Sequence, residues 1–270
     1  MYRIVGSAGL ALVLAGCRAA QTTVPAAVAP PAQQLQAGPV TVPSPAPSPG
    51  PAAAPVAAAP LDPASLPLVI KRGNPAVKAV ALTIDDGPHP EFTPKILKIL
   101  AAQQVKATFF VVGKLVAAHP ELVRAERDAG HLVENHTYDH EELTSLSPEG
   151  VRKQLVRGSQ VLESALGTAP QFFRPPCGKH DEQIERIARD LGLTTVMWST
   201  YPGDQGELPA PRIYRGVVDH VQNGSLILLH DGVKQTLMAL PEIISTLKKR
   251  GYAFQTVAEM ARGLGAKAGG

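Results

Sequence analysis

From about residue 79 to 255, short apolar runs alternate with longer segments whose apolar positions recur every three or four residues. The runs at 79–84, 107–112, 132–135, 171–174, 194–199, 225–229 and around 252–255 predict strands. The segments at 94–103, 116–129, 151–166, 182–191, 212–221 and 237–249 predict helices, the first with Ile96, Leu97, Ile99 and Leu100 on one face. Ser147-Pro148 supplies a capping oxygen followed by a proline at the first turn, and Gly130, Gly167, Gly192 and Gly251 stand where helices should stop. About seven alternating units predict a parallel α/β barrel or a doubly wound sheet. Either one gathers its chemistry at the carboxyl ends of the strands.

The pattern is absent nearer the amino terminus, where residues 19–61 contain no Asp, Glu, Lys or Arg. Of the 26 prolines in the chain, 12 fall between Pro25 and Pro63, a composition that predicts a semi-rigid, extended tether without a core of its own. At about 3.1 Å per residue it would reach on the order of 100 Å. Ahead of it, Arg3 precedes an apolar stretch at 4–15, shorter than the ~20 residues of a membrane span, which reads as an export signal. Its end, Leu14-Ala15-Gly16-Cys17, resembles a bacterial lipobox, implying removal of residues 1–16 and acylation of Cys17. An ordinary cleaved signal is the alternative. Arg18 stands where an aspartate would imply inner-membrane retention, so an exported, membrane-anchored protein in the periplasm or at the cell surface is expected, at the outer membrane if there is one.

The expected organisation is therefore a signal at 1–16, an anchored linker at 17–66 and one domain at 67–270, long enough for a single buried core. A net charge of +3, scattered along the chain, gives no reason to expect nucleic acid, and no obligate protein partner is evident. Cys177 is the one cysteine in 67–270, which leaves no disulfide framework within the domain.

Candidate chemistry begins at Asp85-Asp86, within Thr83-Ile84-Asp85-Asp86-Gly87, at the end of the first long apolar run. Neighbouring side chains on a strand point to opposite faces, so the two acids share a site only where the backbone breaks, which Gly87 permits. Fifty residues on, His136-Thr137-Tyr138-Asp139-His140 places two imidazoles four apart, on one side of a helical turn or tight loop. With Asp86 they make a two-histidine, one-carboxylate set that leaves positions open for water and substrate. Asp85 then suits a base and His230 an acid, with Arg174 holding Asp85 ionised. Blander readings also stand: a turn cap for Asp85, a surface ion pair for Arg174, a core residue for His230, a solvated pair for the histidines. Against them, Asp85, Asp86, His136, Arg174, Asp204 and His230 all fall at or just after predicted strand ends, as one shared site requires.

These residues are similar to the motifs of the NodB-type polysaccharide deacetylases, carbohydrate esterase family four, over residues 77–257. Thr83-Ile84-Asp85-Asp86-Gly87 resembles the first motif, His136-Thr137-Tyr138-Asp139-His140 the second, Arg174-Pro175-Pro176-Cys177-Gly178 the third and Leu228-Leu229-His230 the fifth. The resemblance implies a distorted (β/α)7 barrel, with Asp85 as base, Asp86, His136 and His140 as metal ligands, and His230 as acid. It also implies that Leu228 lines an acetyl-methyl pocket and that the residue at 177 offers its backbone N–H to the oxyanion.

Two positions depart from the pattern: Cys177 replaces a tyrosine, and the fourth motif, normally Asp-x-x-Asp-Trp, reads Tyr201-Pro202-Gly203-Asp204-Gln205. Asp204 is kept to tune His230, while Gln205 takes the place of the groove tryptophan. Tyr201 is a candidate for the missing stacking surface; Trp198, inside a predicted strand, reads as core.

The implied reaction is metal-dependent removal of acetyl from N-acetylglucosamine units of peptidoglycan, or of a chitin-like or poly-N-acetylglucosamine chain, with zinc favoured and cobalt a substitute. O-deacetylation of acetylated xylan, a non-catalytic glycan-binding lipoprotein, and a thiol hydrolase built on Cys177 and His230 are the competing classes.

Overall fold

The structure, a computed structural model, describes residues 61–265. Eight strands form one sheet: β1 (Val69–Ile70), β2 (Ala79–Gly87), β3 (Thr108–Val111), β4 (Leu132–Asn135), β5 (Phe172–Phe173), β6 (Thr194–Val196), β7 (Ser225–His230) and β8 (Ala253–Phe254). Their order is β1-β6-β5-β4-β3-β2-β7 with β8 beside β2, and every ladder is parallel. The helices are α1 (Thr93–Ala102), α2 (Gly113–Ala118), α3 (Pro120–Asp128), α4 (Pro148–Leu166), α5 (Glu182–Asp190), α6 (Ala210–Val218), α7 (Lys234–Lys249) and α8 (Val257–Gly265). The expected parallel α/β architecture is present, but the sheet does not close: isolated bridges, Thr200 to Ile227 and Arg72 to Ser225, stand where a continuous ladder would join β7 to the far edge.

Strand periodicity divides the core in two. On β2, Val80, Leu82 and Ile84 pack with Phe109, Val111, Ile227 and Leu229 against the helices. The alternate positions Ala79 and Ala81 join Phe110, Phe172, Val196 and Leu226 in a second cluster inside the curved sheet. Small alanines there leave room for large neighbours, and the same inward face continues through Thr83 to Asp85. α8 belongs to this inner cluster through Val257, Met260 and Ala261, and Val257 N–H donates to Thr108 Oγ1 at 3.0 Å at the amino-terminal start of β3. The interior is thus stoppered at one end and offers side chains at the other.

Several boundaries move for physical reasons. The helix expected over 116–129 is two helices, because Pro120 disfavours a helical His119, which has φ −136° and ψ 56°. The strand expected at 194–199 ends at Val196, which puts Trp198 in the following loop, half-buried, and corrects its reading as strand core. Neither β1 nor α8 is anticipated by the pattern: a two-residue strand is too short to show a period, and α8 is chosen by the inner cluster that it covers. Helix α4 starts as expected, with Ser147 Oγ accepting from Gly150 N–H and Pro148 in the first turn, and stops at Gly167 with φ 74°. Packed chain begins as early as Leu61 and Leu66, which lie against the inner cluster. Residues 1–60, with the signal and most of the linker, lie outside the described residues.

Glu134 illustrates how a buried acid can serve the sheet. Its Oε2 accepts from both Gln171 and Phe172 N–H at 2.9 Å, holding the start of β5. Burial pushes its carboxyl up to about 8 against those two bonds.

Candidate active site

β2 and β7 are neighbours whose register sets Asp85 opposite His230, with Thr83 opposite Leu228. Leu228 and His230, two apart, share one face of β7. Asp85 is 2% exposed and Arg174 is fully buried. Arg174 Nη1 donates to Asp85 Oδ1 at 2.6 Å and to Thr83 Oγ1 at 2.8 Å, while Nε and Nη2 donate to the carbonyls of Val196 and Met197. Its guanidinium lies 4.2 Å from the centre of the Phe110 ring. Each nitrogen of the group therefore has an acceptor, which excludes the surface ion-pair reading and aims Asp85 from a fixed direction.

The neighbouring acid reaches the same site because the backbone breaks at Asp86, not at Gly87. Asp86 has φ 69°, and the β2–β3 register shifts between Asp85 and Gly87. Gly87 is required for another reason: a Cβ there would lie 2.9 Å from Asp231 Oδ2. Asp231, hydrogen-bonded by Thr93 Oγ1 at 2.5 Å, clasps the start of α1 to the end of β7.

His136 follows β4 directly, and its Nδ1 sits 2.8 Å from the Arg174 carbonyl. That contact requires Nδ1–H, leaving the Nε2 lone pair for the site. The segment to His140 is a tight loop and not a helical turn, with Thr137 at φ 65° and His140 at φ 62°. Asn135 Oδ1 accepts from Thr137 N–H, Thr137 Oγ1 from His140 N–H, and Gln154 Oε1 from both Tyr138 and Asp139 N–H. Nε2 of His136 and of His140 then stand 3.3 and 3.1 Å from Asp86 Oδ1.

These three residues fit a metal ion. Asp86 Oδ1 is buried and takes no hydrogen bond, although both imidazole nitrogens crowd it, and the three ligand atoms lie within 4.8 Å of one another.

Across the site, His230 Nδ1 donates to Asp204 Oδ1 and its backbone N–H to Asp204 Oδ2, both at 2.8 Å; Thr236 Oγ1 on α7 donates to the same Oδ2 at 2.6 Å. Burial alone would lower the His230 pKa, but the Asp204 carboxylate, with the charges of Asp86 and Asp85 behind it, raises it above 6.5. Tyr201 lies edge-on to His230 at 5.8 Å and to Trp198 at 6.0 Å. It is 41% exposed, and burial of its hydroxyl together with nearby carboxylates pushes its pKa up to about 12. Cys177, at φ 57° in the turn Pro176–Gly178, stands on the loop after Arg174, and the Trp198 ring packs so close to Gly178 that a Cβ there would approach it to 2.5 Å.

The structure thus brings Asp85, Asp86, His136, His140, Arg174, Asp204 and His230 together on one rim, with Leu228 and Tyr201 beside His230. Cys17 lies outside the described residues. Sequence reading missed Asn135, Gln154 and Thr83 as supports, and missed that Gln205 Nε2 donates to Asp86 Oδ2 at 2.8 Å. Adjacency pointed to Asn135 and Thr83, each beside or within a motif; nothing local pointed to Gln154, which arrives from α4.

Fold and rim define a class: an α/β protein with a candidate metal-dependent hydrolytic centre at the carboxyl ends of its strands. Residues 72–196 match the family model described as Polysaccharide deacetylase. The chain is 36% identical over 190 residues to the peptidoglycan-N-acetylglucosamine deacetylase of Bacillus cereus, covering 68% of this chain and 89% of that protein. It is 34% identical over 198 residues to a chitooligosaccharide deacetylase of Bradyrhizobium sp., covering 68% and 90%. Among solved structures, a peptidoglycan N-acetylglucosamine deacetylase bound to 4-naphthalen-1-yl-N-oxidanyl-benzamide superposes with a TM-score of 0.71 at 34% identity, over 72% of this chain and 93% of that one. A CE4 family pseudoenzyme from Bacillus anthracis superposes with a TM-score of 0.70 at 31% identity, over 72% and 69%. This chain belongs to the polysaccharide deacetylase family.

Proposed function

We propose that the chain hydrolyses the acetamido group of N-acetylglucosamine units in a polysaccharide, with peptidoglycan the favoured polymer. The observation that carries this reading is the pairing of Asp85–Arg174 on one side of the Asp86–His136–His140 set with His230–Asp204 on the other. A likeness to a pseudoenzyme shows that fold alone does not decide turnover, so the intact set matters more than the superposition.

Asp86, His136 and His140 would hold the ion, for which zinc is the proposed identity and cobalt a substitute. When bound, such an ion polarises a carbonyl and lowers the pKa of water toward about 7. Asp85, fixed by Arg174, takes the proton of the attacking water as the new C–O bond forms. The Cys177 N–H faces the developing oxyanion, and Leu228 borders the acetyl methyl. His230 then delivers a proton to the sugar nitrogen as the C–N bond breaks, because an amide anion is too basic to leave unaided. Acetate and a free amine result, and Asp204 stabilises the imidazolium before that transfer. Tyr201, backed by Trp198, offers the exposed ring against which a sugar stacks in place of a groove tryptophan.

We also propose that residues 1–16 are a lipoprotein signal, that Cys17 is acylated, and that the Pro/Ala-rich linker holds the domain away from the membrane, toward the wall. The Leu14-Ala15-Gly16-Cys17 motif and the composition of 19–61 support this.

Acetate release is the direct test, measured with the full-length chain after chelation and zinc restoration on N-acetylglucosamine oligomers, peptidoglycan and acetylated xylan. Asp85→Asn should lower zinc-dependent release by roughly 10²–10⁴-fold while the protein still takes up zinc. Release from the xylan alone would move the assignment from amide to ester. No release from any substrate by zinc-loaded wild type would favour the glycan-binding reading.

A further inference from the structure

The loop between β6 and α6 turns two consecutive side chains toward opposite halves of the site. Asp204 reaches His230, and Gln205 reaches Asp86. The second contact is specific to what stands at 205, since this is where the resemblance puts a tryptophan. Asp86 needs such a contact. Its φ of 69° is uncommon for a residue with a side chain, and both imidazoles come nearest to it at Oδ1.

The Gln205 amide donates to the other oxygen, Oδ2, at 2.8 Å. A carboxylate tied in this way keeps one oxygen occupied and the other aimed, so its rotation about the Cβ–Cγ bond is restricted. Outer hydrogen bonds of this kind set the orientation and basicity of ligating carboxylates.

We propose that Gln205 is a positioning residue for the metal ligand Asp86: its amide holds Oδ2 so that Oδ1 alone is presented to the ion between His136 and His140. The inference rests on the metal-site reading above. One loop then sets both the ligand carboxylate, through Gln205, and the proton donor, through Asp204, so the two halves of the site are aligned by adjacent residues of a single segment. It also gives the loss of tryptophan at this position a constructive role in place of a mere deficit.

The test uses the full-length chain, with zinc and cobalt(II) as the only probes, in wild type, Gln205→Ala and Glu207→Gln, the last a control in the same loop. Competition with a chromophoric chelator should give a zinc Kd about 10-fold weaker in Gln205→Ala, with the melting temperature of the metal-free protein unchanged. The cobalt(II) d–d absorption should also change in that variant, because the released Oδ2 becomes available to the ion. Glu207→Gln should match wild type in both. Wild-type zinc affinity and an unaltered cobalt spectrum in Gln205→Ala would overturn the proposal. So would an equal loss in Glu207→Gln, which would assign the effect to the loop as a whole. Failure of wild type to retain either ion would overturn the metal-site reading itself and this inference with it, an outcome distinct from the other two.

Discussion

At the scale of single residues, the site is built from backbone that side chains rarely adopt. Asp86, Thr137, His140 and Cys177 all have positive φ, a conformation that costs of order 1–3 kcal/mol for an unfavourable residue and persists where surroundings over-determine it. Those surroundings are explicit for the histidine loop: Asn135, Gln154 and the Thr137 hydroxyl occupy its amides in turn. The sequence named Asp86 and the two histidines by their spacing and chemistry; it could not show that Asp86 itself, and not Gly87, turns the chain.

The proton donor belongs to this scale too. The His230 pKa is raised above that of an ordinary imidazole, so its acid form persists to higher pH and is lost as pH rises through the raised value. Asp204→Asn removes the charge that raises it. The alkaline limb of kcat/KM should therefore move to lower pH, and activity at alkaline pH should fall by roughly 10²-fold or more. A pH–rate profile of the two proteins checks both the sign and the size.

At the scale of elements, the periodic segments were legible because their faces are buried against one sheet, and the two-residue strands β5 and β8 fell inside apolar runs that were read as strands, whereas β1 and α8 left no such mark. β5 has two residues, and what makes it a strand is its neighbours and the Glu134 carboxylate, neither of which is local. Helix α4 shows how a well-read element can carry an unread function. Its apolar period predicted a helix and no more, but Leu155 C=O and Ser159 Oγ accept from Asn135 Nδ2, and Gln154 holds the loop leading to His140.

Gly158 makes that approach feasible, since a Cβ there would collide with Asn135 Oδ1. Gly→Ala inside a helix ordinarily gains up to about 1 kcal/mol. Here the clash should outweigh that gain, and Gly158→Ala should be destabilising by about 1–3 kcal/mol, because Asn135 must turn away from buried partners. Urea unfolding measures this as a lowered midpoint with an unchanged m-value.

At the scale of the whole molecule, the proposed anchor, tether and catalytic domain divide the labour of reaching a polymer from a membrane. If Cys17 is acylated, Cys17→Ser should shift the chain from the detergent-rich to the aqueous phase on phase partitioning, without altering acetate release from soluble oligomers. Retention of the variant in the detergent phase would remove the lipid anchor from this picture.

The sequence by itself determined the alternation of elements, the parallel α/β class, and which acids and histidines were placed to meet, because hydrophobic period and turn chemistry are local properties and strand ends converge in any such sheet. It did not determine the open edge beside β7, the plug made by α8, the move of Trp198 out of the strand core, or the reach of Gln205 to Asp86. Those depend on distances between residues far apart in the chain, 119 positions for Gln205 and Asp86 and 149 for Val257 and Thr108. Only packing the sheet into a curve fixes such distances, and the orientation of the site's polar groups is fixed along with them.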